Sequence, residues 1–277
     1  MGFRVTTNIA AINAQRNLSN SQRMINDSLS KLASGSRINK ASDDAAGLAI
    51  SERFKAQMRS SRQANRNAND AISMVQTAEG GLNEVGNIVV RLRELAVQAS
   101  SDSVGTTERE FINEEVKQLK NEIQRISQVT KWGDTKLLDG STPTFDFQVG
   151  IFNDDFDDRI SFDASKNTAS LSGLEIDDID YADKKDAQTA LAKLDKAQEQ
   201  VSRMRANLGA LQNRLTSTVD NLSVAEENMA AANSRIRDTD VAEASAEMMR
   251  NNILLQAATS TLAQANQTNG LALKLIG

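Results

Sequence analysis

The chain has 277 residues with 32 basic and 37 acidic side chains, and it contains no Cys, no His and a single Pro. The absence of imidazole and thiol groups excludes zinc-hydrolase motifs, Ser-His-Asp triads, redox pairs and disulfides. We therefore expect a structural protein that is not an enzyme and holds no cofactor or metal. Aromatic residues make up only 4% of the chain, which favours thin helical bundles over a thick compact core.

The first predicted helix runs from about Thr7 to Ala33, and Gly35 ends it. Residues 34–40 are predicted to form a connector. Ser42-Asp43-Asp44 is expected to cap the next helix, because short side-chain oxygens accept hydrogen bonds from free backbone N–H groups. One face of the first helix carries Ala11, Ala14, Leu18, Ile25, Leu29 and Leu32.

The second predicted helix continues to about Ser100 and carries an apolar stripe with steps of three and four residues. Such steps average 3.5 residues, which is typical of a narrow seam that packs against a partner helix. Gly80, Gly81 and Gly86 lie off this stripe, and close packing by a neighbour is expected there because glycine otherwise weakens a helix. The stripe consists of Ala64, Ala68, Ala71, Val75, Ala78, Leu82, Val85, Val89, Leu92, Ala96 and Ala99.

A shorter third helix is predicted after a turn over residues 101–105. Thr107 and Glu110 form a capping-box pattern at its start. Its apolar stripe consists of Ile112, Val116, Leu119, Ile123 and Ile126.

After Trp132 the hydrophobic period changes from that of a helix to that of a strand. Apolar residues alternate with polar ones over 145–151 and again over 160–162, with acidic turn residues between, so the pattern predicts a β-hairpin. The acidic residues over 153–158 could alternatively bind calcium, but their spacing is not that of an EF-hand loop and turn formation explains them. Thirteen acidic and three basic residues lie between Trp132 and Asp183, and we expect this excursion to be solvated.

The longest predicted helix begins near Asp183, and a break or kink is expected at Asp238-Thr239-Asp240. A further helix then resumes the same stripe, with Asn251 and Asn269 on it, where buried polar residues usually fix register. The first part of the stripe consists of Ala187, Ala190, Leu194, Ala197, Val201, Met204, Leu208, Leu211, Leu215, Thr218, Leu222, Ala225, Met229, Ala232 and Ile236. The second part consists of Val241, Ala244, Met248, Leu255, Ala258, Leu262, Ala265 and Ala272.

These elements predict a mainly α fold, a long antiparallel helical bundle or coiled-coil rod with a small β-hairpin excursion. No stretch approaches the roughly 20 apolar residues that span a bilayer, and the first residues lack the features of a secretory signal. We therefore expect no membrane insertion and a protein that is cytoplasmic or exported without a cleaved signal. Lys and Arg do not cluster with aromatic residues, which argues against nucleic-acid binding.

Both helical arms resemble bacterial flagellin, the subunit of the flagellar filament, in a short form without large outer domains. The N-terminal motifs are TNIAAINAQRNL over 7–18, LASGSRIN over 32–39 and DDAAGLAIS over 43–51. The C-terminal motifs are LGALQNRL over 208–215, SRIRDTD over 234–240 and LAQANQ over 262–267.

The resemblance implies a secreted subunit that is exported by the flagellar type III apparatus and polymerises into the filament for motility, with a sheathed or periplasmic enclosure also allowed. Its partners would be other copies of itself, the filament cap and hook-junction proteins, and an export chaperone on the C-terminal arm. Segments 1–42 and 237–277 would pair as an inner terminal helical domain, and 43–236 would form a rod domain with the acidic excursion at about 133–182. The self-assembly residues would be Ala11, Leu18, Ile25, Leu29, Leu255, Ala258, Leu262 and Ala265.

The resemblance also implies innate immune recognition by a flagellin-sensing Toll-like receptor. Residues 91–99 match the recognised stretch, with Arg91, Leu95 and Gln98 as principal contacts and Glu115 on the following helix. Two alternatives stay open at this stage: a hook–filament junction protein, and a secreted coiled-coil adaptor that does not self-assemble. Seeded polymerisation of purified subunits would separate them.

Overall fold

The computed structural model describes residues 7–141 and 144–276, with side chains described up to residue 267. Within these ranges the chain forms five α-helices and two short antiparallel hairpins, which confirms the mainly α fold with a small β excursion. The predicted stripe positions Asn269 and Ala272 lie outside the described side chains, and Pro143 lies outside the described residues. The elements in chain order are α1 (Ile9–Ser34), α2 (Ala45–Ala99), α3 (Thr106–Val129), β1 (Lys131–Trp132), β2 (Thr135–Lys136), β3 (Phe145–Gln148), β4 (Arg159–Phe162), a 3-10 turn (Ala164–Asn167), α4 (Lys184–Arg237) and α5 (Val241–Ile276).

The chain divides by its internal contacts into two compact units. The central unit comprises Arg59–Glu226, and the terminal unit comprises Met1–Met58 together with Glu227–Gly277. The helices α2 and α4 contribute residues to both units, whereas α3 and the β excursion belong to the central unit and α1 and α5 to the terminal unit.

The core of the central unit is the seam between α2, α3 and α4. Every predicted stripe position of α2 from Ala64 to Ala99 is buried, and so is every position of α4 from Ala187 to Leu215. The two helices run antiparallel, because Arg93 on α2 pairs with Asp195 on α4 and Arg62 pairs with Glu226. The 3.5-residue period therefore identified the helix faces that form this core.

The stripe of α4 loses its burial after Leu215, contrary to the prediction that it continues to Ile236. Thr218 and Leu222 are half-buried and Ala225 is exposed. The cause is the opposing part of α2, which is polar at this level: the Ser61 hydroxyl donates to the Leu222 carbonyl at 3.5 Å and Asn65 bonds to the Ser223 hydroxyl at 3.1 Å. Polar contacts take the place of an apolar core there.

The β excursion follows α3 and packs onto the same core. The predicted hairpin is confirmed, with β3 antiparallel to β4 and Phe145 opposite Phe162. The rings of these two residues stack with centroids 6.3 Å apart, and Phe162 and Ile160 are buried against the helices. A second hairpin, β1 with β2, was not predicted, because two-residue strands are too short to show an alternating pattern.

Of the two predicted helix caps, the one at the start of α3 is wrong and the one at the start of α2 is confirmed at a single residue. The N-cap residue of α3 is Gly105, which makes no side-chain hydrogen bond to the helix. Thr107 lies inside the first turn, so the predicted Thr107–Glu110 capping box is wrong. Of Ser42-Asp43-Asp44, Asp44 caps α2 by accepting from the Gly47 amide at 2.8 Å. Asp43 instead accepts from two amides of the preceding connector.

Among the glycines of α2, close packing occurs at Gly81. A Cβ atom there would lie 2.7 Å from the Thr130 hydroxyl and 2.8 Å from a methyl group of Leu138, whereas Gly80 faces open space. Gly81 thus lets the chain segment after α3 approach α2. Gly86 would meet only ordinary van der Waals contact from Val201 at 3.5 Å.

In the terminal unit α1 and α5 pair antiparallel. Gly35 ends α1 in the left-handed conformation, with φ of 67°, as predicted. The connectors that follow α1 and α4 then pair with each other: the Arg37 amide donates to the Arg237 carbonyl at 2.6 Å, and the Thr239 amide donates to the Gly35 carbonyl at 3.0 Å. At residues 238–240 the helix therefore ends, as one of the two predicted possibilities had it, and the connector is held by backbone hydrogen bonds to the connector after α1.

Candidate interaction surfaces

The seam between α1 and α5 is made largely of small and polar residues. Its buried positions are Ala14, Ser21 and Ser28 on α1 and Ala244, Asn251 and Ala258 on α5. Larger residues such as Leu18 and Leu255 are only half-buried, and they border an open cavity of about 410 Å³. Because apolar burial stabilises in proportion to its area, this seam holds the pair together weakly.

The eight predicted self-assembly residues fall mostly in this seam. Ala258 is buried, and Ala11, Leu18, Ile25, Leu255, Leu262 and Ala265 are half-buried. Leu29 lies off the seam with 54% of its surface exposed. The structure thus brings seven of the eight together along the contact of one helix with the other.

Asn8 links the two terminal helices at one end of the seam. Its Oδ1 accepts from the Ala11 amide at 3.0 Å and so caps α1, while its Nδ2 donates to the Ala265 carbonyl of α5 at 2.8 Å. One side chain therefore satisfies a free amide of α1 and fixes the position of α1 along α5.

The outer faces of α1 and α5 carry large apolar side chains that face solvent. Each is at least half exposed, which is the reverse of the usual arrangement in an amphipathic pair. These residues, named here the outer apolar face, are Ile9, Ile12, Met24, Leu29, Val241, Met249, Ile253 and Leu254. Leu29 and Val241 lay on the predicted stripes, and sequence reasoning missed the other six because it followed only the 3.5-residue stripe. The available signal was that α5 is apolar on more than one side.

The second candidate surface lies on α2 and α3 in the central unit. Arg91 bonds to Glu115 on α3 through Nε at 3.0 Å and Nη2 at 2.9 Å, and to Glu94 through Nη1 at 3.1 Å. These carboxylates raise the pKa of the Arg91 guanidinium, with Glu115 the larger cause. The cluster is exposed, so the ion pairs contribute little to stability.

The remaining two residues predicted on this surface differ in accessibility. Gln98 is exposed on α2, whereas Leu95 is only 2% exposed and belongs to the core between the helices. The geometry thus places Arg91, Gln98 and Glu115 where a partner can reach them. Leu95 supports the surface from below.

Tyr181 lies beneath this part of α2 and was not singled out from the sequence. Its hydroxyl donates to the Leu92 carbonyl at 2.9 Å, and its amide donates to Asn113 Oδ1 at 3.2 Å. Burial raises the pKa of the Tyr181 phenol, because removal from water disfavours the charged phenolate. Tyr181 ties the end of the β excursion to α2 and α3.

The acidic loop between β3 and β4 is organised by its own carboxylates. Asp158 is buried and accepts from the amides of Phe152 and Asp154 at 3.2 and 3.1 Å. Asp154 accepts in turn from the amides of Phe156 and Asp157, which lowers its pKa. These carboxylates have the turn-forming role predicted for them.

In the described part of the chain, no group of three or more acidic side chains is placed to hold a metal ion. The described helices also include none that is both long and apolar enough to cross a bilayer.

The terminal helices expose apolar residues that a self-contained bundle would bury, which is typical of a structural subunit that packs against other chains. Comparison with known proteins identifies the family. The profile of the bacterial flagellin N-terminal helical region matches residues 5–142, and that of the C-terminal helical region matches residues 191–276. The chain belongs to the bacterial flagellin family.

Two similar flagellar proteins align with nearly the whole chain, and a solved flagellin structure aligns with part of it. A flagellin of Halalkalibacterium halodurans is 43% identical over 98% of this chain and 99% of its own. The flagellar filament 33 kDa core protein of Treponema phagedenis is 37% identical over 98% of this chain and 99% of its own. A crystal structure of Bacillus cereus flagellin superposes with a TM-score of 0.51 at 29% identity, covering 61% of this chain and 94% of that chain.

Membership of the family confirms that the protein is a structural, non-enzymatic subunit of the flagellar filament that serves motility. It assembles with copies of itself into that filament, which is extracellular or periplasmic. The match along the full chain favours this function over the junction protein and the adaptor considered from the sequence.

Proposed function

We propose that copies of this chain polymerise through the outer apolar face of α1 and α5. The observation that carries the proposal is the distribution of side-chain size in the terminal unit: the fully buried seam positions are mostly alanine and serine, the larger seam residues are only half-buried, and the large side chains of the outer apolar face are at least half exposed. Burial of a large aliphatic side chain contributes roughly 1.5–3 kcal/mol. Neighbouring subunits therefore offer the terminal helices more stabilisation than their own seam does.

The same arrangement supports the division into filament domains. We propose that segments 1–42 and 237–277 form the inner domain of the filament and that 43–236 form the surrounding rod domain. The paired connectors after Gly35 and Arg237 support a boundary there, since α1 and α4 both end at these connectors. The acidic excursion at about 133–182 then supplies much of the filament's outer surface.

Partners other than a second copy would meet the subunit before or during assembly. We propose export by the flagellar type III apparatus, with an export chaperone covering the C-terminal arm, and contacts with the filament cap and hook-junction proteins. The exposed residues of α5, Met249, Ile253 and Leu254, support the chaperone proposal because an apolar face of this kind requires cover in solution.

Recognition by a flagellin-sensing Toll-like receptor is proposed for the cluster on α2 and α3. Arg91, Gln98 and Glu115 would be the contacts, with Leu95 holding the surface in place from the core. The exposure and charge of the paired Arg91 and Glu115 side chains support this role. Interface arginines often dominate binding energy, because the guanidinium combines charge, planar hydrogen bonding and apolar contact area.

Seeded polymerisation tests the assembly surface. Ile253→Glu replaces the most exposed residue of the outer apolar face, so the free subunit should keep its fold. In the filament the change removes an apolar contact and buries an unpaired carboxylate at a cost of several kcal/mol. Elongation from wild-type seeds should therefore fail at concentrations at which wild-type subunits elongate fully.

The matched control is Thr216→Glu, which adds the same charge at an exposed polar position of α4 in the central unit. This variant should elongate nearly as wild type. Equal elongation by both variants would show that the outer apolar face is not an assembly surface.

The recognition surface is tested with two arginines of nearly equal exposure. Arg91 pairs with Glu94 and Glu115, whereas Arg93 pairs with Asp195 on α4. Arg91→Ala should reduce receptor signalling by the soluble subunit at least tenfold, while Arg93→Ala should not. Identical dose–response curves for the two variants would show that Arg91 is not a receptor contact.

A further inference from the structure

Methionine exposure differs sharply between the two units. Met74 and Met204 are buried in the core of the central unit. Met24 and Met249 are 56% and 62% exposed, and both belong to the outer apolar face of α1 and α5. The most accessible thioethers in the described chain thus lie on the surface proposed for assembly.

The side chains of the two methionines are open to small oxidants in solution. Met24 lines an open polar groove that also includes Glu247 and Asn251 of α5, which lie two residues before and two residues after Met249. Met249 itself precedes Ile253 by one helical turn, so the two side chains are neighbours on the outer apolar face. Both methionines therefore lie at the same level of the helix pair.

We propose that Met24 and Met249 are sites of oxidation by peroxides, and that their oxidation prevents a free subunit from joining the filament. This inference rests on the assembly surface proposed above. In the reaction the thioether sulfur attacks one peroxide oxygen, the O–O bond breaks, and the products are the sulfoxide and water (from hydrogen peroxide). Methionine is oxidised by two electrons and the peroxide is reduced.

The sulfoxide converts an apolar side chain into a polar one with a strong hydrogen-bond acceptor. On a free subunit this acceptor is hydrated, so the fold is not disturbed. In the filament the sulfoxide oxygen would lose its hydrating water and find no hydrogen-bond donor in its place, and burial of an unpaired acceptor is unfavourable. Oxidation therefore acts on assembly and spares the folded subunit, and an assembled subunit is protected by its neighbours.

The first experiment maps sulfoxides by mass spectrometry after limited treatment with hydrogen peroxide. In free subunits Met24 and Met249 should be oxidised at least tenfold faster than Met74 and Met204. In filaments the rates at Met24 and Met249 should fall at least tenfold. Equal rates in subunit and filament would show that neither methionine is covered on assembly, which overturns both this inference and the assembly surface on which it rests.

The second experiment separates the two proposals by comparing elongation of treated and untreated subunits. Peroxide-treated wild type should elongate at least tenfold more slowly than untreated wild type, and treatment with methionine sulfoxide reductases of both stereospecificities should restore the rate. The double variant Met24→Leu/Met249→Leu, which keeps the volume and apolar character of the side chains, should elongate equally before and after peroxide.

Unchanged elongation of oxidised wild type would overturn the oxidation proposal, and the assembly surface would stand if Ile253→Glu still blocked elongation. An equal loss in the oxidised double variant would assign the effect to other residues and would also overturn the proposal. Single variants, each retaining one methionine, then show which sulfur atom carries the effect.

Discussion

Substitutions of Asn8 can separate two contributions to the stability of the terminal unit: the N-cap of α1 and the hydrogen bond between α1 and α5. Its Oδ1 caps α1 through the Ala11 amide, and its Nδ2 donates to the Ala265 carbonyl of α5. Asn8→Asp keeps an oxygen that caps well and interacts favourably with the helix dipole, but it removes the donor to Ala265. Asn8→Ala removes both interactions.

The expected magnitudes follow from these two contacts. Loss of an N-cap costs about 1 kcal/mol, and a neutral hydrogen bond contributes about 0.5–1.5 kcal/mol. Asn8→Asp should thus weaken the pairing of α1 with α5 by about 1 kcal/mol, and Asn8→Ala should weaken the terminal unit by about 2 kcal/mol. Since 1.4 kcal/mol is a factor of ten, these losses correspond to roughly fivefold and thirtyfold changes in opening equilibria.

Hydrogen exchange of backbone amides provides the assay. In Asn8→Asp the amides of α5 near Ala265 should exchange about fivefold faster, while the first turn of α1 keeps its wild-type protection. In Asn8→Ala both regions should exchange faster. Wild-type exchange near Ala265 in the aspartate variant would refute the view that Asn8 fixes α1 against α5.

Three further expectations concern other contacts. Tyr181→Phe removes the hydrogen bond to the Leu92 carbonyl and should lower the free energy of unfolding of the central unit by about 1 kcal/mol, measured by denaturant titration. The pKa of Asp43 is lowered from its ordinary value of 3.8, first by hydrogen bonds from connector amides, so it stabilises the connector at neutral pH. That contribution is lost as pH falls below 3.8, and the Asn39 amide shift in NMR spectra should report it in wild type but not in Asp43→Asn. Leu262→Asp places a charge in the half-buried seam and should abolish polymerisation while leaving the thermal transition of the central unit intact.

The helices of the central unit could be predicted because their apolar stripes coincide with a core inside the same chain. Leu82 on α2 and Leu208 on α4 are fully buried, and each follows from the 3.5-residue period alone. The prediction failed beyond Leu215, where the stripe continues in the sequence but polar residues such as Asn65 oppose it. A stripe identifies the face of one helix and carries no information about its partner.

The recognition and assembly surfaces were predicted less completely. Arg91 and Glu115 were placed together by resemblance, and the structure joins them by an ion pair at 2.9 Å. The burial of Leu95 could not be read from its neighbours, because its accessibility depends on where α3 crosses α2. Most of the outer apolar face was missed for a related reason: residues such as Ile253 face no partner within the chain, so no periodic pattern marks them.

The two units differ in where they place their large apolar residues, and this difference determines how each one becomes stable. The central unit encloses leucines, Tyr181 and Ile123 at almost no exposure, so a large part of the burial that offsets chain entropy occurs within one chain. The terminal unit encloses mainly alanine, serine and Asn251, and it leaves residues such as Ile253 in water. Its stability must therefore rise with subunit concentration, because the missing apolar contacts come from other copies. A subunit built this way can remain unassembled at low concentration with a folded central unit, and its terminal helices gain their full stability only when neighbouring subunits are in place.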